Sequence, residues 1–107
     1  MKRVYYLPLS SVHPTERTPE SFQEAERKWG DQEDMQTIKS LKEALRTKRP
    51  VPPIVVERIK RGNYAIRNGH HRYAAATWIG LKKIPAIISD YVHDPDGEKP
   101  IKWGKTA

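Results

Sequence analysis

The chain has 107 residues, with 20 Lys plus Arg against 13 Asp plus Glu, four His and no Cys, for a formal net charge of +7. That length fits one domain with a modest core, and the missing cysteines exclude a disulfide scaffold, a thiolate zinc site and a thiol nucleophile. No stretch approaches the ~20 apolar residues of a membrane span, and Met1–Pro8 lacks the apolar run of a signal peptide, so a soluble cytoplasmic domain with no membrane partner is expected.

The opening Val4–Leu9 predicts a short strand, and Ser10–Pro14 the turn that leaves it. Thr18 followed by Pro19 signals a helix start. Phe22, Ala25, Glu26 and Trp29 then fall at helical spacing before Gly30, in an acidic segment that predicts a lightly packed surface helix. A stronger helix is expected from about Asp34 to Lys48, where Met35, Ile38, Leu41, Ala44 and Leu45 form one apolar stripe. Arg49-Pro50-Val51-Pro52-Pro53 stops it, because proline lacks the backbone donor and pushes the preceding residue into extended geometry. The β-branched run Ile54–Ile59 predicts a strand, Arg61-Gly62-Asn63 a turn, and Tyr64–Arg67 the returning strand of a hairpin. A helix from His70 to Ile79 ends at Gly80, and Ile84–Ile88 is a further strand with its proline near the start. Together these elements give an α+β domain over residues 1–92, with a small mixed sheet and three helices. Residues 93–107 are expected to form an irregular tail that Trp103 anchors.

Placement of charge adds to this outline. Residues 1–34 hold 5 basic and 7 acidic side chains, whereas residues 35–107 hold 15 and 6. A field of that sign favours a polyanion: nucleotide phosphates, nucleic acid or an acidic protein surface. A lysine-rich exterior kept for solubility gives the same count. Charge points to an anion without choosing one.

The most informative stretch is Ile66-Arg67-Asn68-Gly69-His70-His71-Arg72-Tyr73. A strand ends at a glycine and a helix opens with two imidazoles and a guanidinium in its first turn. Helix N-termini present unpaired N–H groups and partial positive charge, which attract anions. Gly69 lets the backbone approach a phosphate, and Arg72 offers a bidentate grip on its oxygens. Three basic side chains here oppose the helix dipole, a local conflict of the kind found at sites. The same residues also describe a surface helix start with no ligand. Ala74-Ala75-Ala76 allows this helix to lie close to the sheet, which needs no ligand. His13, His70, His71 and His93 lack the spacings of a zinc site.

Pro53-Ile54-Val55-Val56, the hairpin, Asn68-Gly69-His70-His71-Arg72-Tyr73-Ala74-Ala75-Ala76, Gly80 and Ile84-Pro85-Ala86 together resemble the ParB/sulfiredoxin superfamily. The resemblance is greatest to its small, stand-alone "ParB-like nuclease" members with a DGHHR-type motif, and it covers roughly residues 4–92. It implies a nucleotide-phosphate site holding CTP, ATP or ADP, often with magnesium. Carried over by position, Asn68, Gly69, His70, His71 and Arg72 are the phosphate-binding residues. Val12-His13-Pro14-Thr15-Glu16 resembles the family's N-terminal loop, and Glu16 matches the presumed base of the free-serine-kinase branch, which deprotonates a substrate hydroxyl. Two departures stand out. Asn68 replaces the motif's usual Asp, and an amide carries no charge and takes no proton at neutral pH. His70 stands where sulfiredoxin has its catalytic cysteine, so sulfinic acid repair is excluded.

The resemblance therefore implies a nucleotide-binding domain that transfers or hydrolyses a terminal phosphate, with magnesium bridging the phosphates. The alternatives are a DNA-associated binding module and a metal-dependent nuclease. Candidate DNA-phosphate contacts are Arg58, Lys60, Arg61, Arg67, Lys82 and Lys83, each of which also reads as a solvated surface charge. A partitioning ParB carries a DNA-binding region and a dimerisation domain after this core. Only the 15 residues 93–107 follow here, so sequence-specific DNA clamping by this chain alone is not expected.

Overall fold

The β-branched run that begins at Ile54 lies in the middle of a sheet, and the other elements are arranged around it. The computed structural model describes residues 3–15, 21–29, 33–89 and 101–103. In chain order these form β1 (Val4–Pro8), a 3-10 turn (Leu9–Ser11), β2 (Val12–His13), α1 (Phe22–Trp29), α2 (Glu33–Arg46), β3 (Pro50–Val51), β4 (Ile54–Lys60), β5 (Asn63–Asn68), α3 (His70–Trp78), β6 (Lys83–Ile88) and β7 (Ile101–Lys102). Five strands make one mixed sheet in the order β1-β6-β4-β5-β2. Strand β4 is antiparallel to β5 and parallel to β6, so the chain leaves through the hairpin and returns through α3. Strand β1 lies antiparallel along β6, and β2 lies parallel to β5. The expected α+β domain, with a small mixed sheet and three helices, is what the chain forms.

Ile54, Val55 and Val56 are all buried. A central strand with a parallel neighbour is covered on both faces, which explains an unbroken apolar run where a half-exposed strand would alternate. Leu7, Val12, Ile54, Val56, Ile66, Ile84 and Ala86 from the sheet pack with Leu45, Ala75 and Ala76 into the main core. Ala74, Ala25, Met35 and Ile38 form a second cluster. The three alanines thus let α3 sit tightly between the sheet and the helix pair, and they fix where its N-terminus points.

Three elements differ from expectation. Helix α1 begins at Phe22, where Ser21 Oγ accepts the Glu24 N–H at 3.1 Å. Ser21 and Glu24 have the spacing of a capping box; the expected start at Thr18 and Pro19 lies outside the described residues. Val12 and His13 are a strand and not part of a turn, since they pair with Tyr64 and Ala65. Pro50 and Val51 do more than stop α2, because they pair with Lys102 and Ile101. The expected irregular tail therefore contains a strand, and Trp103 is its anchor: it is 2% exposed, and its Nε1–H donates to Val51 O at 2.7 Å.

Helix α2 closes with a left-handed cap. Lys48 N–H donates to Leu45 O at 3.2 Å, Arg49 N–H donates to Ala44 O at 2.8 Å, and Lys48 has φ +61°, a position where glycine is the usual residue. Among the described residues, no helix is long and apolar enough to cross a membrane.

Candidate functional site

The site is built at the point where β5 hands over to α3. Gly69 has φ +110° and ψ 29°, and a Cβ there would lie 2.7 Å from Ile54 Cγ2 and 3.0 Å from Arg72 Nη2. Both the backbone conformation and the contact therefore require glycine. The helical ladder starts with Tyr73 N–H donating to Gly69 O at 2.9 Å, which leaves the N–H groups of His70, His71 and Arg72 ahead of it.

All five residues expected at the phosphate turn, Asn68 through Arg72, line one open cleft of ≈ 570 Å³. Arg67, Thr37 and Leu41 of α2, and Pro52 complete its walls. A second hollow of ≈ 470 Å³ shares Thr37, Leu41 and Pro52 with the first and continues past Gln36, Ser40, Ala44, Pro50 and Val51. The sequence pattern did not single out Thr37, Leu41 or Pro52. Leu41 belongs to the apolar stripe of α2 and looks like core, yet only Met35, Ile38 and Leu45 of that stripe are buried outright.

Arg72 has a structural task besides any ligand. Its Nη1 donates to Pro52 O at 3.2 Å and to Pro53 O at 3.1 Å, and its Nη2 reaches Asn68 Oδ1 at 3.5 Å. It ties the first turn of α3 to the cleft wall opposite. His70 is held from the other side. Its Nε2 accepts the Thr15 backbone N–H at 3.1 Å, while Thr15 Oγ1 donates to Ile66 O at 2.9 Å. An accepting Nε2 carries no proton, so in the neutral ring Nδ1 carries it, and the Nε2 edge of His70 holds the N-terminal segment. His71 is half-buried, with Nε2 shut off from solvent.

Thr15 belongs to the Val12–Glu16 stretch that the resemblance marks, but nothing in its local sequence announces a contact 55 residues away. Its neighbour Glu16, the candidate base, lies outside the described residues.

The six candidate DNA contacts do not form one surface. Arg58, Lys60 and Arg61 are exposed at the hairpin end of the sheet, whereas Lys83 pairs with Pro8 at the other end. At ~3.3 Å per residue, Lys60 and Lys83 are on the order of 25–30 Å apart along the sheet. Arg67 faces the cleft and shares its charge with Glu57, Nη1 to Oε1 at 3.3 Å. His13 is also remote from the cleft, with Nε2 2.8 Å from Asn63 Oδ1 near the hairpin.

A five-stranded mixed sheet with a glycine-led turn opening the helix between its central strands is the architecture of the ParB/sulfiredoxin superfamily. The chain belongs to the ParB N-terminal domain family, whose model matches residues 2–98. It is 32% identical over 90 residues to a nucleoid occlusion protein of Halalkalibacterium halodurans, a match covering 84% of this chain and 28% of that protein. It is 45% identical over 56 residues to an ATP-dependent L-serine kinase of Staphylothermus marinus, covering 50% of this chain and 22% of that protein. A C-terminally truncated chromosome-partitioning protein ParB from Caulobacter crescentus, complexed with CTP-gamma-S, has the same fold. Its TM-score is 0.57 at 22% identity, over 83% of this chain and 45% of that one. The chain spans about a quarter of the length of the curated relatives it matches.

Proposed function

We infer that the cleft at the head of α3 binds a nucleoside di- or triphosphate. In this reading the phosphates lie on the Gly69–Arg72 turn and the nucleoside lies in the adjoining hollow between α2 and Pro50–Pro52. The observation that carries it is Gly69, left-handed and closed against Ile54, in a turn whose five residues all face one cleft. Backbone donors, a helix N-terminus and a guanidinium converge there, which is the chemistry a phosphate requires. Relatives are named for ATP and complexed with CTP-gamma-S, which supports a nucleotide and leaves the base open.

Phosphoryl transfer or hydrolysis is the reaction this arrangement suits. The oxygen of an acceptor hydroxyl, a substrate alcohol or water, attacks the terminal phosphorus. The bond from that phosphorus to its bridging oxygen breaks, a nucleoside diphosphate leaves from a triphosphate donor or a monophosphate from a diphosphate donor, and the hydroxyl proton passes to the Glu16 carboxylate. Magnesium fits only as a companion of the phosphates. Among the described residues no three His, Asp or Glu side chains gather to hold a metal, and the described cleft walls are cationic or neutral. Asn68 adds no charge to hold one either.

Calorimetric titration with ATP, ADP, CTP and GTP, with and without magnesium, tests the binding. One nucleotide should bind, and the affinity should fall at least tenfold in Arg72→Ala; no binding to any of the four would end this proposal. Glu16→Gln should bind that nucleotide normally while its turnover with an acceptor such as free serine falls about 10²-fold or more. Unchanged turnover would remove Glu16 from the reaction.

One observation favours a second reading. Arg58, Lys60 and Arg61 are exposed together at the hairpin with no ion pair among the described residues. A DNA-binding module using them would show an affinity that falls steeply with salt and that nucleotide leaves unchanged. A metal-dependent nuclease would, in addition, nick supercoiled plasmid.

A further inference from the structure

The groove does not stop at the hollow assigned to the nucleoside. A third hollow of ≈ 530 Å³ shares Ser40, Ala44 and Pro50 with it and adds Lys39, Glu43 and Arg49. The Glu43 carboxylate is already held by Arg46, through Nη2 at 2.8 and 2.9 Å and Nε at 3.2 Å. Among the described residues Lys39 makes no hydrogen bond or ion pair, and the Arg49 side chain uses only its Nε, donating to Thr47 Oγ1 at 3.0 Å. The hollow therefore carries net positive charge, presented by a guanidinium whose orientation Thr47 sets. The left-handed Lys48 and the hydrogen bond from Arg49 N–H to Ala44 O turn the chain so that Arg49 arrives there. A lysine in that conformation costs local stability.

The sequence of charges along the groove is informative. Arg67 and Arg72 stand at one end, and Lys39 and Arg49 at the other. Between them the wall is uncharged: Gln36, Thr37, Ser40, Leu41, Ala44 and the Pro50–Pro52 stretch. From Pro52 to Arg49 is three extended residues, about 10 Å, enough to seat one nucleoside between two phosphates.

The geometry points to a ligand phosphorylated on both sides of its sugar, with the 5′-phosphates on the Gly69–Arg72 turn and a 3′-phosphate between Lys39 and Arg49. This rests on the nucleotide reading of the cleft and adds a second anion subsite to it. The required chemistry is met by a free 3′-phosphorylated nucleotide or by the 5′-phosphorylated end of a nucleic-acid strand, where the 3′-phosphate is a diester.

The test is calorimetry on the full chain at fixed ionic strength, with ADP, its 3′-phosphorylated derivative and ApA carrying a 5′-diphosphate, and the cytidine counterparts in parallel. The proteins are the wild type and Lys39→Gln/Arg49→Gln. Both positions are exposed, so the double variant keeps the fold. In the wild type the 3′-phosphate should tighten binding about tenfold, as expected for a charge-assisted contact. The double variant should bind ADP or CDP as the wild type does and lose that gain. A tighter dinucleotide than 3′-monoester assigns the ligand to a strand end, and the reverse assigns it to a free nucleotide. Equal wild-type affinities with and without the 3′-phosphate overturn the second subsite alone, as does a gain that survives in the double variant. Failure of every nucleotide to bind overturns the nucleotide reading and the subsite with it.

Discussion

Strand β5 begins beside Gly62 and ends at Gly69, and the two ends use the same residue types. Each glycine has a positive φ, +66° and +110°, each adjoins an asparagine, and each is surrounded by basic side chains. At Gly62 an added Cβ would meet nothing within 4 Å, whereas at Gly69 it would meet Ile54 at 2.7 Å. Around Gly62, Arg58, Lys60 and Arg61 project from a convex hairpin. Around Gly69, His70, His71 and Arg72 are half-buried against a cleft. Gly62 serves a turn, and Gly69 serves a close approach between a helix end and the central strand. Basic side chains line a cleft at Gly69, where the backbone is closed against Ile54 and partners orient His70 and Arg72.

The largest effect that would test this contrast is on stability. Gly69→Ala combines a left-handed non-glycine residue with a clash against a fully buried side chain, and should cost about 2–4 kcal/mol. Gly62→Ala pays only the conformational part, about 1 kcal/mol. Urea unfolding of the two variants measures the gap. Equal losses would show that Ile54 yields freely and that the close approach is not what Gly69 provides.

Arg72 and Arg61 make the next comparison. Arg72→Ala leaves the Pro52 and Pro53 carbonyls without their donor, in a part-buried setting, which should cost about 1–3 kcal/mol. Nucleotide affinity should fall with it. Arg61→Ala lies on the exposed hairpin and should stay within about 0.5 kcal/mol of wild type, with nucleotide affinity unchanged. Thermal unfolding and calorimetry on the same samples separate the brace from the ligand contact. A stable Arg72→Ala that no longer binds would make the guanidinium purely a ligand group.

What the amino-acid pattern discloses here follows the range of the interactions involved. Periodicity and β-branching mark α2, the hairpin and β6 within a residue or two, because those signals are local. The turn at the head of α3 is legible because Asn68-Gly69-His70-His71-Arg72 is contiguous and its glycine is required on the spot. The opposite wall is not. Leu41 repeats with core residues on α2 but faces the cleft, since a stripe wide enough to pack also has an edge. Thr15 reaches His70 only because β2 lies parallel to β5, and a two-residue strand is too short to show alternation. Strand β3 is hidden for the same reason, as its partner comes from Ile101 and Lys102 near the far end of the chain. The start of α1 has a local signal in the Ser21–Glu24 spacing, with Ser21 Oγ accepting the Glu24 N–H, whereas Thr18 and Pro19 lie outside the described residues.

A smaller effect is expected at Lys48, a left-handed position occupied by a residue other than glycine. Its φ of +61° places a side chain where Cβ crowds the following carbonyl, and both cap hydrogen bonds run through it and Arg49. Lys48→Gly removes that crowding but frees the unfolded chain, so the net gain should be about 0.5–1 kcal/mol. The cap itself persists, which keeps Arg49 at the groove, so any preference for a 3′-phosphorylated ligand should be unchanged. A higher urea midpoint with the same preference would establish that the lysine is tolerated at a cost and that the turn, not the side chain, places Arg49. A lower midpoint would mean that the Lys48 side chain contributes more than its backbone costs.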